Sequence, residues 1–145
     1  MLQIDIVAVG RLKTGPLADL YEEYAARIKG WSLSLHEIDE RKPSGQPMTD
    51  RLVGADYVFV LDERGKALGS EDFARRLQAL EDQGKAKVAF AIGGADGHSA
   101  AVRNRADFLL SFGIQTWPHM LARVMLAEQI YRARQIVTGH PYHRA

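Results

Sequence analysis

Two short runs, Tyr57-Val58-Phe59-Val60-Leu61-Asp62 and Lys87-Val88-Ala89-Phe90-Ala91-Ile92, are apolar on nearly every residue rather than on alternate ones. A strand with one face in water alternates, so a continuous run belongs to a strand covered on both faces, as in a parallel sheet between two helical layers. Helix-like and strand-like segments alternate along the rest of the chain. The expected fold class is therefore α/β, with a mostly parallel sheet flanked by helices. At 145 residues the chain is long enough for one real core and little more, so residues 1–145 read as a single domain.

The other elements follow from spacing and punctuation. Gln3 to Val9 reads as a first strand ending at Gly10. Pro16 suits a first helical position, and Leu17, Leu20, Tyr21, Tyr24, Ala25 and Ile28 recur at helical spacing until Gly30. Trp31 to Ile38 alternates as a second strand. Residues 39 to 56, with two prolines and a glycine, read as an exposed loop with at most a turn or two of helix. Ser70 is the expected N-cap of a helix whose stripe is Phe73, Leu77 and Leu80, and Ser99 the expected cap of the next. Phe108 to Phe112 reads as a short fifth strand. A last helix is expected from near Pro118 to about Val137, with Leu121, Val124, Met125, Glu128 and Tyr131 on one face.

Composition excludes several classes. No apolar run approaches the ~20 residues that cross a membrane as a helix. The amino terminus lacks a basic stretch before an apolar one, so no signal peptide is expected. Without cysteine there is neither a disulfide nor a thiolate metal site, which suits a reducing cytoplasm. The formal net charge is only +1. Residues 119 to 145, however, hold four arginines against the single acid Glu128, leaving +3 there and −2 elsewhere, with three histidines added. Such an end fits either an anionic partner met at one place or a solvated arginine-rich helix face; charge alone does not separate the two.

Four segments carry chemistry. Gly93-Gly94-Ala95-Asp96-Gly97 follows a buried strand, where a glycine turn lets a ligand approach backbone amides, although it matches neither a dinucleotide fingerprint nor a P-loop. Leu61-Asp62-Glu63-Arg64-Gly65-Lys66 ends the other central strand and adjoins the Gly93 turn if the two strands are neighbours. In Phe112-Gly113-Ile114-Gln115-Thr116-Trp117-Pro118-His119, backbone groups could read a purine edge between the apolar walls Ile114 and Trp117. Each of these also has an ordinary structural explanation, as a turn or a core plug. Finally, His140-Pro141-Tyr142-His143-Arg144 gathers hydrogen-bonding side chains where tails are usually filler. Two histidines without cysteine or a paired carboxylate make a metal site improbable.

Taken in order, Val7-Ala8-Val9-Gly10, Leu61-Asp62, Ile92-Gly93-Gly94-Ala95-Asp96-Gly97, Thr116-Trp117-Pro118-His119, the run Arg123 to Ala133 and His140-Pro141-Tyr142-His143-Arg144 resemble the ribosomal RNA large subunit methyltransferase H family. This is a small branch of the SPOUT methyltransferases, and the resemblance covers nearly the whole chain. It implies a carboxyl-terminal trefoil knot, a homodimer, and transfer of a methyl group from S-adenosylmethionine to N3 of a pseudouridine in large-subunit rRNA of the assembled ribosome. The implied cofactor residues are Leu61, Gly93, Gly94, Phe112, Gly113, Ile114, Gln115, Thr116 and Trp117. Arg144 and Arg132 are the candidates for anion stabilisation and RNA contact, His143 for proton relay and Tyr142 for orienting the base. The tail is expected to complete the neighbouring subunit's site. One departure is the short 39–56 segment, where the family carries a longer helical insertion. The alternatives are methylation of another RNA such as tRNA, and a non-catalytic adenosine- or RNA-binding module.

Overall fold

The computed structural model describes residues 1–39, 41 and 46–144. Five strands form one sheet in the order β2-β1-β4-β3-β5, and every pairing is parallel. They are β1 (Gln3–Val9), β2 (Ser32–Ile38), β3 (Tyr57–Ala67), β4 (Lys87–Ile92) and β5 (Phe108–Ser111). The two continuous apolar runs are the neighbouring strands β3 and β4, so their carboxyl ends lie side by side.

Helices cover both faces, which is why those runs do not alternate. On one face α1 (Pro16–Arg27) and α3 (Ser70–Asp82) pack against α5 (His119–Val137). They enclose a core in which the Phe59 and Phe90 rings stack at 4.6 Å, with Phe73 edge-on to both. On the other face α2 (Gln46–Leu52) and α4 (Ala100–Arg105) cover Val7, Val58, Val60 and Ala91. The expected loop at 39–56 thus contains two turns of helix, and Met48 and Leu52 anchor it in that second core. The part of that loop at residues 40 and 42–45 lies outside the described residues.

Three local outcomes differ from the sequence expectation. Gly69, not Ser70, caps α3; Ser70 is its first helical residue and donates its hydroxyl to Gln129 Oε1 of α5 at 2.8 Å. A hydroxyl with a partner on a neighbouring helix is no longer available to cap its own. The strand expected to end at Asp62 resumes instead. Leu61 and Lys66 both stand opposite Leu110, so residues 62–65 bulge out of the ladder. The bulge requires glycine at position 65, because a Cβ there would run into the Leu109 carbonyl. Finally, α5 buries Ala122, Arg123, Leu126, Ala127, Ile130 and Ala133. Of the residues expected to share one face, Val124 is buried while Leu121, Met125, Glu128 and Tyr131 are only half-buried, so the buried stripe is a different one. Alanines supply much of the true stripe and carry too little hydrophobicity to mark it.

Candidate active site

Because every strand points the same way, the loops after β1, β3, β4 and β5 collect at one edge of the sheet, where open α/β sheets bind ligands. A cleft of about 520 Å3 opens there. Leu61 and the Asp62–Arg64 bulge form one wall, and the Gly93–Gly97 turn forms a second. Phe112, Gly113, Gln115, Thr116 and Trp117, leading into α5, form the third. Eight of the nine expected cofactor residues therefore meet in one place. The ninth, Ile114, does not: the residue is 93% exposed and is not part of the cleft lining.

Close packing shapes the walls. A Cβ on Gly93 would stand 2.9 Å from the Gly97 carbonyl oxygen, closer than side chains tolerate, so the turn folds tightly on itself only with glycine there. In the third wall the Ser111 hydroxyl accepts the Gly113 N–H at 3.0 Å, and the Trp117 indole N–H donates to the Phe112 carbonyl at 3.2 Å. Thr116 donates to Glu63 Oε2 at 3.0 Å, joining this wall to the bulge.

The cleft's charge is nearly balanced. Asp62, its side chain only 7% exposed, faces Arg103 Nε at 3.1 Å and Arg64 Nε at 3.4 Å. His98 stands in the wall with Nε2 3.1 Å from the Leu61 carbonyl, and burial draws its pKa below the ordinary 6.5. His119, first residue of α5, lines the cleft, and its buried Nδ1 has no hydrogen-bond partner among the described residues.

One turn along α5, Arg123 is completely buried. It reaches Glu37 Oε2 of β2 at 2.6 Å and donates to the carbonyls of Gly10 at 3.0 Å and Val9 at 3.3 Å. Glu37 also accepts the Leu12 N–H at 2.6 Å. This network ties the loop after β1 to the start of α5 and so sets the frame behind the cleft. Sequence reasoning assigned Arg123 no role. The signal was its spacing, since it shares a helical stripe with Ala127, Ile130 and Ala133, which places it inside.

The four expected catalytic residues lie elsewhere in the chain. Arg132 grips Glu128 Oε1 with Nε at 2.8 Å and with a second nitrogen at 2.6 Å. The Tyr142 hydroxyl donates to the same oxygen at 3.1 Å, under an Arg132 guanidinium 4.9 Å from its ring. Partial burial, reinforced by the Glu128 carboxylate, raises the Tyr142 pKa, so it serves as a donor and not a phenolate. Arg132 also contacts His143 Nδ1 at 3.0 Å, and His143 Nε2 stands 3.6 Å from Glu71 of α3. Arginine can only donate, so His143 carries its proton on Nε2 here. Arg144 is exposed, with no side-chain partner among the described residues. Arg132, Tyr142 and His143 thus form one cluster, but it does not line the cleft of its own chain. Between the two runs an apolar groove of about 590 Å3, walled by Leu121, Val124 and Met125 and ending at Glu128; it shares Phe112 and Gly113 with the cleft.

This sheet order and cleft define a class of fold found in solved methylases. A probable methylase family protein from Haemophilus influenzae Rd KW20 superposes with a TM-score of 0.64 at 11% identity, covering 98% of this chain and 70% of that one. The model of the family described as "Predicted SPOUT methyltransferase" matches residues 2–143, and the chain belongs to that family. Among curated relatives, the ribosomal RNA large subunit methyltransferase H of Rhodospirillum centenum is 53% identical over 153 aligned positions, spanning 99% of this chain and 100% of that protein. The protein of the same name from Paramagnetospirillum magneticum is 48% identical over 99% of both.

Proposed function

We propose that this protein methylates large-subunit rRNA with S-adenosylmethionine, at N3 of a pseudouridine in the assembled ribosome, and that it works as a homodimer. The observation that carries the reading is the convergence of the bends at 61–64, 93–97 and 112–117 into one cleft. Full-length similarity to proteins named for large-subunit rRNA methylation supports the substrate class. The reading also includes a trefoil knot in the carboxyl third.

The residues present fit the cofactor. A 520 Å3 cleft falls within the ~300–1,000 Å3 of small-molecule sites. Its walls include Gly93, Gly94, Gly97 and Gly113, where no side chain stands between ligand and backbone, and the unpartnered Nδ1 of His119 is a buried polar group awaiting a hydrogen bond. Leu61, Gly93-Gly94 and Phe112–Trp117 would hold the nucleoside by backbone groups and apolar contact. When bound, S-adenosylmethionine supplies an electrophilic methyl group on its sulfonium.

The remaining work is proton transfer and charge stabilisation. The imide N3–H of pseudouridine must break as the N3–methyl bond forms, and its proton needs an acceptor. His143 takes that role, its Nδ1 lone pair becoming free once Arg132 turns to the RNA. Arg144 stabilises the negative charge that develops on the base oxygens, and Tyr142 orients the base. The tail reaches the cleft of the neighbouring subunit, which agrees with its anchorage away from its own.

The test is methyl transfer from labelled S-adenosylmethionine to ribosomes lacking the modification, with the product nucleoside identified by mass spectrometry. Label in 3-methylpseudouridine of the large subunit is expected. Label appearing only in tRNA, or cofactor binding without any transfer, would replace this reading.

A further inference from the structure

One imidazole joins two of the three cleft walls. His98 follows Gly97 and precedes Ser99, the cap of α4, so it sits at the base of the glycine turn. Its Nε2 is 3.1 Å from the Leu61 carbonyl oxygen, a contact across 37 residues. A carbonyl only accepts, so Nε2 carries the proton and Nδ1 is left as an acceptor. The β3–β4 register ends at Val60 opposite Ala91. Leu61 still pairs with Leu110 of β5 but has no partner in β4, so on that side His98 donates where the strand no longer does. The same ring packs on the second wall, since a Cβ on Gly93 would lie 3.3 Å from His98 Cε1. Burial keeps this imidazole neutral at neutral pH, against the opposing pull of the Leu61 hydrogen bond and of Asp62.

We propose that His98 is a positioning residue for the adenosyl group: its ring sets the spacing between the Leu61 carbonyl and the Gly93 turn. The inference rests on the reading that this cleft takes the cofactor. A nucleoside held between two backbone walls binds well only when those walls are already at the right distance. Otherwise the cost of ordering them falls on binding. Residues 62–65 bulge out directly after Leu61 and so cannot supply that rigidity through sheet hydrogen bonds. The His98 hydrogen bond does.

Calorimetric titration of wild type, His98→Leu and His98→Gln with S-adenosylmethionine and S-adenosylhomocysteine tests this. His98→Leu loses the donor, and its affinity for both ligands should fall about five- to tenfold. Turnover on ribosomes at saturating cofactor should stay within about twofold, as should affinity in His98→Gln, whose amide N–H stands nearly where Nε2 was. His98→Asn, too short to reach Leu61, provides the same comparison if the leucine variant does not fold. Wild-type affinity in His98→Leu, or a glutamine variant as weak as the leucine one, would overturn the proposal. Wild-type protein that binds neither ligand would instead remove the cofactor reading beneath it.

Discussion

Gly93 shows how much one residue decides. Its hydrogen stands where any Cβ would press on the Gly97 carbonyl at 2.9 Å and the neighbouring carbonyl carbon at 3.0 Å, both backbone atoms that cannot swing aside. Gly93→Ala should open the turn, weaken cofactor affinity by about tenfold or more and destabilise the fold by about 1–3 kcal/mol, as overpacking does. Calorimetry and denaturant unfolding read the two effects separately, and an alanine variant that binds normally would place the ligand elsewhere. The glycines were legible in the sequence because turn chemistry is written in residue type. His98 and Arg123 were not. A histidine after a turn and an arginine within a helix are ordinary until the fold gives them partners 37 and 86 residues away. Arg123 is the more consequential surprise, because its fully buried charge depends on Glu37 and on the Gly10 and Val9 carbonyls for compensation.

At the scale of elements, α5 organises both halves of the proposed chemistry. Its first turn lines the cleft with His119 and anchors the β1 loop with Arg123, while Glu128 holds Arg132 and Tyr142 further along. Glu128→Gln removes the charge that gathers the tail but leaves the cleft residues alone. Transfer to ribosomes should fall by about tenfold or more while cofactor affinity stays within about twofold; equal loss of both would mean that the tail and the cleft are not separable. The strands, their parallel direction and helix limits near Pro16 and Val137 were readable from apolar runs and punctuation, whereas the strand order was not. The buried stripe of α5 was not either, because three alanines and an arginine interrupt its Val124, Leu126 and Ile130, while Leu121 and Met125 beside it sit on a groove. The resumption of β3 beyond Asp62 was hidden for a related reason. Charged residues 62–64 look like a loop but form a bulge within the strand, which pairs with β5 on both sides of it.

The whole molecule has a cleft at one edge of its sheet and a tail cluster that does not enter it. The apolar groove beside α5 lies between them. The proposed dimer, in which each copy closes the other's site, would account for this arrangement. Methyl transfer should therefore fall with the square of protein concentration once dilution reaches the monomer, and sedimentation should follow the same curve; activity in a proven monomer would refute shared sites. Three chain segments, at 61–64, 93–97 and 112–117, nevertheless make the cradle within a single chain, and every functional statement depends on that. A crystal structure with S-adenosylhomocysteine is the most direct measurement of it. The adenosyl group is predicted against Leu61 and Gly93-Gly94, under the Phe112–Trp117 segment, with His98 behind it. Density for the ligand in the α5 groove, or anywhere that leaves those segments untouched, would contradict the account.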